Sequence, residues 1–240
     1  MQHLRLYPMN ILLLHGALGT RRQLGLLSDV LPGVRTRILE FRGHGEHAIP
    51  DEGLSMEVFL RDIRDAMQQA GWSEAHLFGY SMGGYAALLY ASRFPEKVKS
   101  VVTLGTKVKW DREGLDRELR LLDPQKMKEK VPQFAMELLT QHGPDRWEDL
   151  VRATAKLITG LHEQPPLTRD ALEKIKCPVM LCVGDRDRTA VPEHTLEAAR
   201  LMSRGSTLVL PSTQHPFDHV DLNALVGHLL NFWGEEEVED

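Results

Sequence analysis

The stretch LFGYSMGGYAALLY, residues 77–90, sets Ser81 among Gly79, Gly83 and Gly84. Glycines this dense mark backbone that has no room for side chains or must take angles that side chains forbid. The residue they surround carries a hydroxyl. A serine hydroxyl is a weak nucleophile at neutral pH. To do acyl chemistry it needs a base for its proton, a group that orients the base, and donors for a developing oxyanion. Whether Ser81 is a turn residue or a nucleophile depends on the elements around it.

Short apolar runs at residues 10–16, 34–41, 75–80, 98–106, 177–185 and 206–211 read as strands. Several are nearly continuous in apolar residues, as in parallel sheets covered by helices on both faces. Helical patterns lie between them. One begins at a capping Ser55 and stops at Gly71, one runs from Met82 to Pro95, one ends at Gly205, and one closes the chain. This alternation predicts an α/β fold with a doubly wound, mostly parallel sheet. Residues 107–168 break the rhythm, with helical patterns and no strand, and are too long for a plain loop. The expected organisation is a core of residues 1–106 and 169–240 with a helical insertion at 107–168. Only nine residues precede Asn10. Fully extended they span at most about 32 Å, room for one short edge strand and no hairpin.

Ser81 thus sits where a strand runs into a helix, the setting a G-x-S-x-G nucleophile elbow requires, here Gly79-Tyr80-Ser81-Met82-Gly83. The sharp turn holds the hydroxyl above the sheet, and the following helix N-terminus adds a positive dipole where an oxyanion would form.

With these elements the chain resembles the α/β-hydrolase family over essentially its whole length. HGALG, residues 15–19, resembles that family's oxyanion-hole loop, which implies that the Ala17 and Met82 amides are the two oxyanion donors. EFRGHGEH resembles the family's D-x-R-G-H-G-x-S turn, with Glu40 in place of the aspartate and Glu46 in place of the serine. The family order is serine, acid, histidine. VMLCVGDRDRTAVP offers Asp185 and Asp187, and the family's G-x-x-D spacing from Gly184 selects Asp187. LVLPSTQHPFDHVD offers His215 and His219, and the family's place for the base, the first loop after the last strand, selects His215. The six runs and the one edge strand predict about six to seven strands; the resemblance implies a helical lid over Ser81, a Ser81-His215-Asp187 triad and no cofactor. The substrate it implies is a small carboxylic ester, thioester or related acyl compound.

Other residues take plainer readings. His15 and His44 order glycine turns, His219, Asp218 and Asp221 belong to the start of the last helix, and Lys107 and Lys109 are solvated. Trp110, Met127, Phe134, Met136 and Trp147 either line an acyl pocket, for which Trp110, Phe134 and Met136 are taken, or pack lid on core. The histidines show no metal-ligand spacing, so no metal is expected. A net charge of −5 gives no basis for nucleic-acid binding. No run approaches the ~18 apolar residues of a membrane span, and no signal peptide is evident. Cys177 and Cys182, an odd number of residues apart on a strand, point to opposite faces. Reduced thiols and no export signal suggest the cytoplasm. Two alternatives share the fold: a lyase that uses the triad as a base, as in the menaquinone-pathway synthases these motifs also resemble, and a non-catalytic ligand receptor.

Overall fold

The computed structural model describes residues 9–236. Its strands are β1 (Asn10–Leu14), β2 (Arg35–Leu39), β3 (Ala75–Tyr80), β4 (Val98–Leu104), β5 (Val179–Gly184) and β6 (Gly205–Leu210). They form one sheet in the order β2-β1-β3-β4-β5-β6, every neighbouring pair parallel. The expected edge strand before Asn10 falls on residues 1–8, outside the described residues.

Parallel neighbours need crossovers, and helices supply them. These are α1 (Gly25–Val30), α2 (Met56–Gln69), α3 (Met82–Arg93), α4 (Arg112–Leu121) and α5 (Pro124–Lys130). They continue with α6 (Pro132–His142), α7 (Trp147–Glu163), α8 (Arg169–Glu173) and α9 (Pro192–Ala199), and α10 (Leu222–Glu236) follows the last strand. Local chemistry sets many of the boundaries. The Ser55 hydroxyl accepts from the Val58 amide to start α2, and Gly71, at φ +70°, ends its turn. Asp111, Asp123 and Thr168 cap α4, α5 and α8 in the same way.

Three details differ from the sequence reading. The crossover from β1 to β2 contains a 3₁₀ turn, Arg21–Leu24, running into α1, which the sequence reading passed over. Residues 125–142, within the stretch where the sequence shows helical patterns without setting their bounds, are divided between two helices. The Pro132 ring disfavours helical angles at Val131, which sits at φ −137°, ψ 59°. The helix expected to reach Gly205 ends at Ala199.

The strand period of two divides the core. Leu12, Leu14, Leu77, Val101 and Leu181 cluster with α2, α3 and α9 on one face. Ile11, Leu13, Phe78, Val102 and Met180 cluster with α1 and α10 on the other. A third, smaller core joins Met127, Leu138, Trp147 and Leu150 within the helical segment and takes in Leu18 from the loop after β1. Met127 and Trp147 therefore pack helix on helix.

The chain leaves β1 outward to β2, then returns to β3 on the other side of β1. That reversal is a topological switch point, where loops at the strands' C-terminal ends diverge and leave a crevice. Helix α6 is tied across it by His142. The Gly45 amide donates to His142 Nδ1 at 2.9 Å, and His142 Nε2–H donates to the Leu18 carbonyl at 2.9 Å. The bond from Gly45 needs the neutral ring, because a protonated Nδ1 cannot accept. Burial lowers the His142 pKa below its usual 6.5, and Arg146 acts in the same direction against the opposing pull of Leu18 and Glu40. A depressed histidine pKa gives stability that is complete above the unfolded value near 6.5 and is lost as pH falls through the folded value. Hydrogen-exchange protection of α6, corrected for intrinsic rates, should therefore fall as the pH is lowered past about 6.5. His142→Ala should remove about 2–3 kcal/mol of that protection above that pH and leave the central strands protected. Unchanged protection of α6 in the variant would contradict the tie.

Candidate active site

Ser81 lies between the end of β3 and the first residue of α3 with φ 51° and ψ −114°. A non-glycine residue held at such positive φ stores about 1–3 kcal/mol and persists only where its surroundings enforce it. Here they do. The Ser81 amide donates to the Leu104 carbonyl at 2.8 Å, and the Thr106 hydroxyl donates to the Ser81 carbonyl at 3.1 Å. A Cβ at Gly79 would collide with the backbone of Gly83 and Gly84. One at Gly83 would strike the Leu14 and His15 carbonyls, and one at Gly84 would strike Thr106 Oγ1. The three glycines are the condition for packing the start of α3 onto the ends of β1, β3 and β4.

The loop after β6 brings His215 to Ser81. His215 Nε2 is 3.3 Å from Ser81 Oγ, and His215 Nδ1 is 2.8 Å from Asp187 Oδ2. The Tyr80 hydroxyl donates to the His215 carbonyl at 2.9 Å, fixing the loop from below. Asp187 is buried, and its other oxygen, Oδ1, accepts the Thr189 and Ala190 amides at 2.8 Å each. With Asp187 accepting from Nδ1–H, the neutral ring presents the bare Nε2 to the serine hydroxyl. The serine–histidine distance is slightly long for a hydrogen bond, as is common before a substrate tightens such a pair.

Asp185 sits apart from this chain of bonds. Its Oδ1 accepts the Thr213 amide at 3.1 Å, so it holds the turn after β6 and not its own GDRDRT turn. His219 is exposed in the 3₁₀ turn Phe217–His219, and Asp221 caps α10. Gly105, which sequence reasoning passed over, forms the floor of the histidine pair. At φ +62°, a Cβ there would lie 3.2 Å from both His215 Nδ1 and Asp187 Oδ2. Its only sequence signal is its place directly after a strand.

The loop after β1 is braced from both sides. His15 Nδ1–H donates to the Gly16 carbonyl at 2.8 Å, and the Phe41 amide donates to His15 Nε2 at 3.1 Å. Burial lowers the His15 pKa to about 4, so the ring is a neutral strut and not a base. Burial likewise holds His44 well below its ordinary value. The Gly16 amide donates to Gln23 Oε1 at 2.8 Å, and Glu40 accepts the Arg21 amide at 3.0 Å. Burial acts to raise the Glu40 pKa, but the Arg21 amide and guanidinium outweigh it and keep the carboxylate ionised. Ala17 and Met82, the expected oxyanion donors, both line a small cavity beside Ser81. Met82 is the first residue of α3, where an amide has no intrahelical acceptor.

That inner cavity, about 50 Å³, is walled by Trp110 and by Thr154, Leu157, Ile158 and Leu161 of α7. It opens beside a groove of about 840 Å³ lined in part by Leu26, Leu121 and Phe134. Of the three expected pocket residues, Trp110 lines the inner cavity and Phe134 the outer groove. Met136 lines neither; it is 61% exposed, turned away from the face of α6 that buries Ala135 and Leu138. The expectation of a solvated Lys107 is also corrected. Its side chain is 10% exposed, pairs with Glu118, and sits 4.6 Å from the centre of the Trp110 ring. Lys109 is exposed.

A family model described as alpha/beta hydrolase fold matches residues 10–219, and the chain belongs to that family. A Bacillus subtilis protein named provisionally as a 2-succinyl-6-hydroxy-2,4-cyclohexadiene-1-carboxylate synthase is 24% identical, over 92% of this chain and 88% of its own. Serine hydrolase BPHL of Homo sapiens is 26% identical over 72% of this chain and 60% of its own. The enol-lactonase of Burkholderia xenovorans LB400 superposes with a TM-score of 0.77 at 18% identity, covering 95% of this chain and 92% of that one. Among the described residues no helix is long and apolar enough to cross a membrane.

The two aspartates make opposite predictions. A hydrogen-bonded imidazole Nδ1–H gives a low-field proton resonance, expected in the wild type and in Asp185→Asn and absent from Asp187→Asn. Turnover of any acyl substrate should fall by about 10³–10⁴ in Asp187→Asn, where the histidine loses its tautomer. Asp185→Asn keeps its acceptor oxygen and should change stability by no more than about 0.5 kcal/mol. Loss of the resonance in Asp185→Asn instead would reverse the assignment.

Proposed function

We propose that the protein is a serine hydrolase that cleaves a small carboxylic ester through an acyl-enzyme. The observation that carries this reading is the run of contacts from Ser81 Oγ through His215 to Asp187, built on a serine held at positive φ. In this mechanism Ser81 Oγ attacks the ester carbonyl while His215 Nε2 takes its proton. The Ala17 and Met82 amides receive the oxyanion. The imidazolium, steadied by Asp187, protonates the departing alcohol. Water then enters, gives a proton to His215, and releases the acid and the free serine. Residues 107–168 serve as a lid whose helices wall the acyl side of the site, and the outer groove takes the alcohol. The protein needs no cofactor for this chemistry.

A second reading is a lyase, favoured by the nearly full-length likeness to the Bacillus subtilis protein named for a synthase. There the same three residues would abstract a proton from the substrate and form no acyl-enzyme. The two readings part on simple esters.

Turnover of p-nitrophenyl acetate and butyrate separates them. The hydrolase reading expects turnover that falls at least about 10³-fold in Ser81→Ala. The same exchange relieves strained backbone little and removes one hydroxyl, so stability should move by no more than about 1 kcal/mol. Turnover that survives in Ser81→Ala would place the chemistry elsewhere, and inertness toward both esters would favour the lyase.

A further inference from the structure

The inner cavity beside Ser81 is apolar over most of its wall, with Met56, Leu157 and Leu161 among its residues. Against that wall stand polar atoms with no protein partner. The Thr154 side chain is 1% exposed, and its Oγ1 makes no hydrogen bond. Trp110 Nε1 is likewise buried without an acceptor. Both residues line the cavity that Ser81 and Met82 also line. A buried hydroxyl or indole N–H left unsatisfied costs about 1–3 kcal/mol, and native interiors keep few of them. Thr154 is on a helix, where its hydroxyl normally returns to a carbonyl of the preceding turn; here it does not.

The neighbouring charges narrow the ligand. Lys107 is matched by Glu118 within the same wall, so the pocket offers a neutralised ion pair and not a free cation. An indole N–H only donates, and a threonine hydroxyl can donate as well. The pair therefore suits an uncharged acceptor oxygen. Size gives the second limit. At one small group per about 10–15 Å³ of such space, a cavity of about 50 Å³ admits about three to five heavy atoms. A long hydrocarbon chain does not fit there.

We propose that this cavity is an acyl subsite for a short chain bearing a neutral carbonyl or hydroxyl oxygen, which Thr154 Oγ1 and Trp110 Nε1 bind. The subsite rests on the ester-hydrolase reading and names its substrate class: esters of short oxo or hydroxy acids. The Lys107–Glu118 pair holds the Trp110 ring in place through the ammonium over its face. Thr154 and Trp110 are specificity residues that touch the acyl chain away from the reacting carbon.

The test compares ethyl 4-oxopentanoate, ethyl pentanoate and the monoethyl ester of pentanedioic acid, each rate corrected for its hydroxide-catalysed reactivity. The oxo ester should exceed the plain ester in kcat/KM by about tenfold or more, the worth of one well-made neutral hydrogen bond. Thr154→Val and Trp110→Phe should each carry that ratio toward one, and Thr154→Ser should restore it. A ratio near one in the wild type, or a ratio untouched by both variants, overturns the subsite. Preference for the carboxylate ester overturns its neutral character, because Lys107 would then have to leave Glu118. If none of the esters is turned over, the hydrolase reading fails separately. Calorimetric dissociation constants of the same esters for Ser81→Ala then decide the subsite: tighter binding of the oxo ester by about tenfold supports it, and equal binding ends it.

Discussion

The close approach of three strand ends to the first turn of α3 is the constraint on which the rest depends. Gly79, Gly83 and Gly84 let backbone meet backbone with no Cβ between, and that contact forces Ser81 to positive φ. The side chain is thereby lifted off the sheet, and the Met82 amide is left at a helix start without an intrahelical partner. Any side chain at Gly83 would push α3 off the Leu14 and His15 carbonyls, and the loop carrying Ala17 would move with it. The elbow and the loop after β1 are one packing unit.

Around this unit the fold places its other parts by topology. β1 and β3 are neighbours although β2 lies between them in sequence, so their loops meet over the switch point. β4, β5 and β6 then step outward in order, each ending on the same side. Their loops deliver Gly105 and Thr106, Asp187, and His215 in succession. The histidines show how burial separates roles. His15 and His44 are held neutral by burial and brace loops, whereas His215 keeps one nitrogen toward Asp187 and the other toward Ser81.

Much of the sheet was legible because parallel strands buried on both faces read as apolar runs; all six runs at residues 10–211 correspond to strands. The short α1 was not legible, since six residues including Gly25 carry too little helical period. The juxtaposition of Ser81, Asp187 and His215 was legible only as what the family resemblance implied, through the family's order of serine, acid and histidine and its G-x-x-D position. Side-chain partnerships across long separations left no trace in the sequence. Lys107 looked like a surface lysine because Glu118, its partner, lies nearly two helix turns into α4. The tie from His142 to Leu18 and Gly45 joins residues about a hundred positions apart. Met136 was misjudged because the break at Val131 resets which face of α6 turns inward.

The central claim is that Ser81 is made nucleophilic by His215. It is tested most directly with a fluorophosphonate, which phosphonylates an activated serine and needs no knowledge of the substrate. Mass spectrometry of the digested adduct should find one phosphonyl group, on the peptide that carries Ser81. His215→Ala should slow its formation by about 10³-fold or more. A protein that forms no adduct, or that is labelled equally fast without His215, would contradict the account.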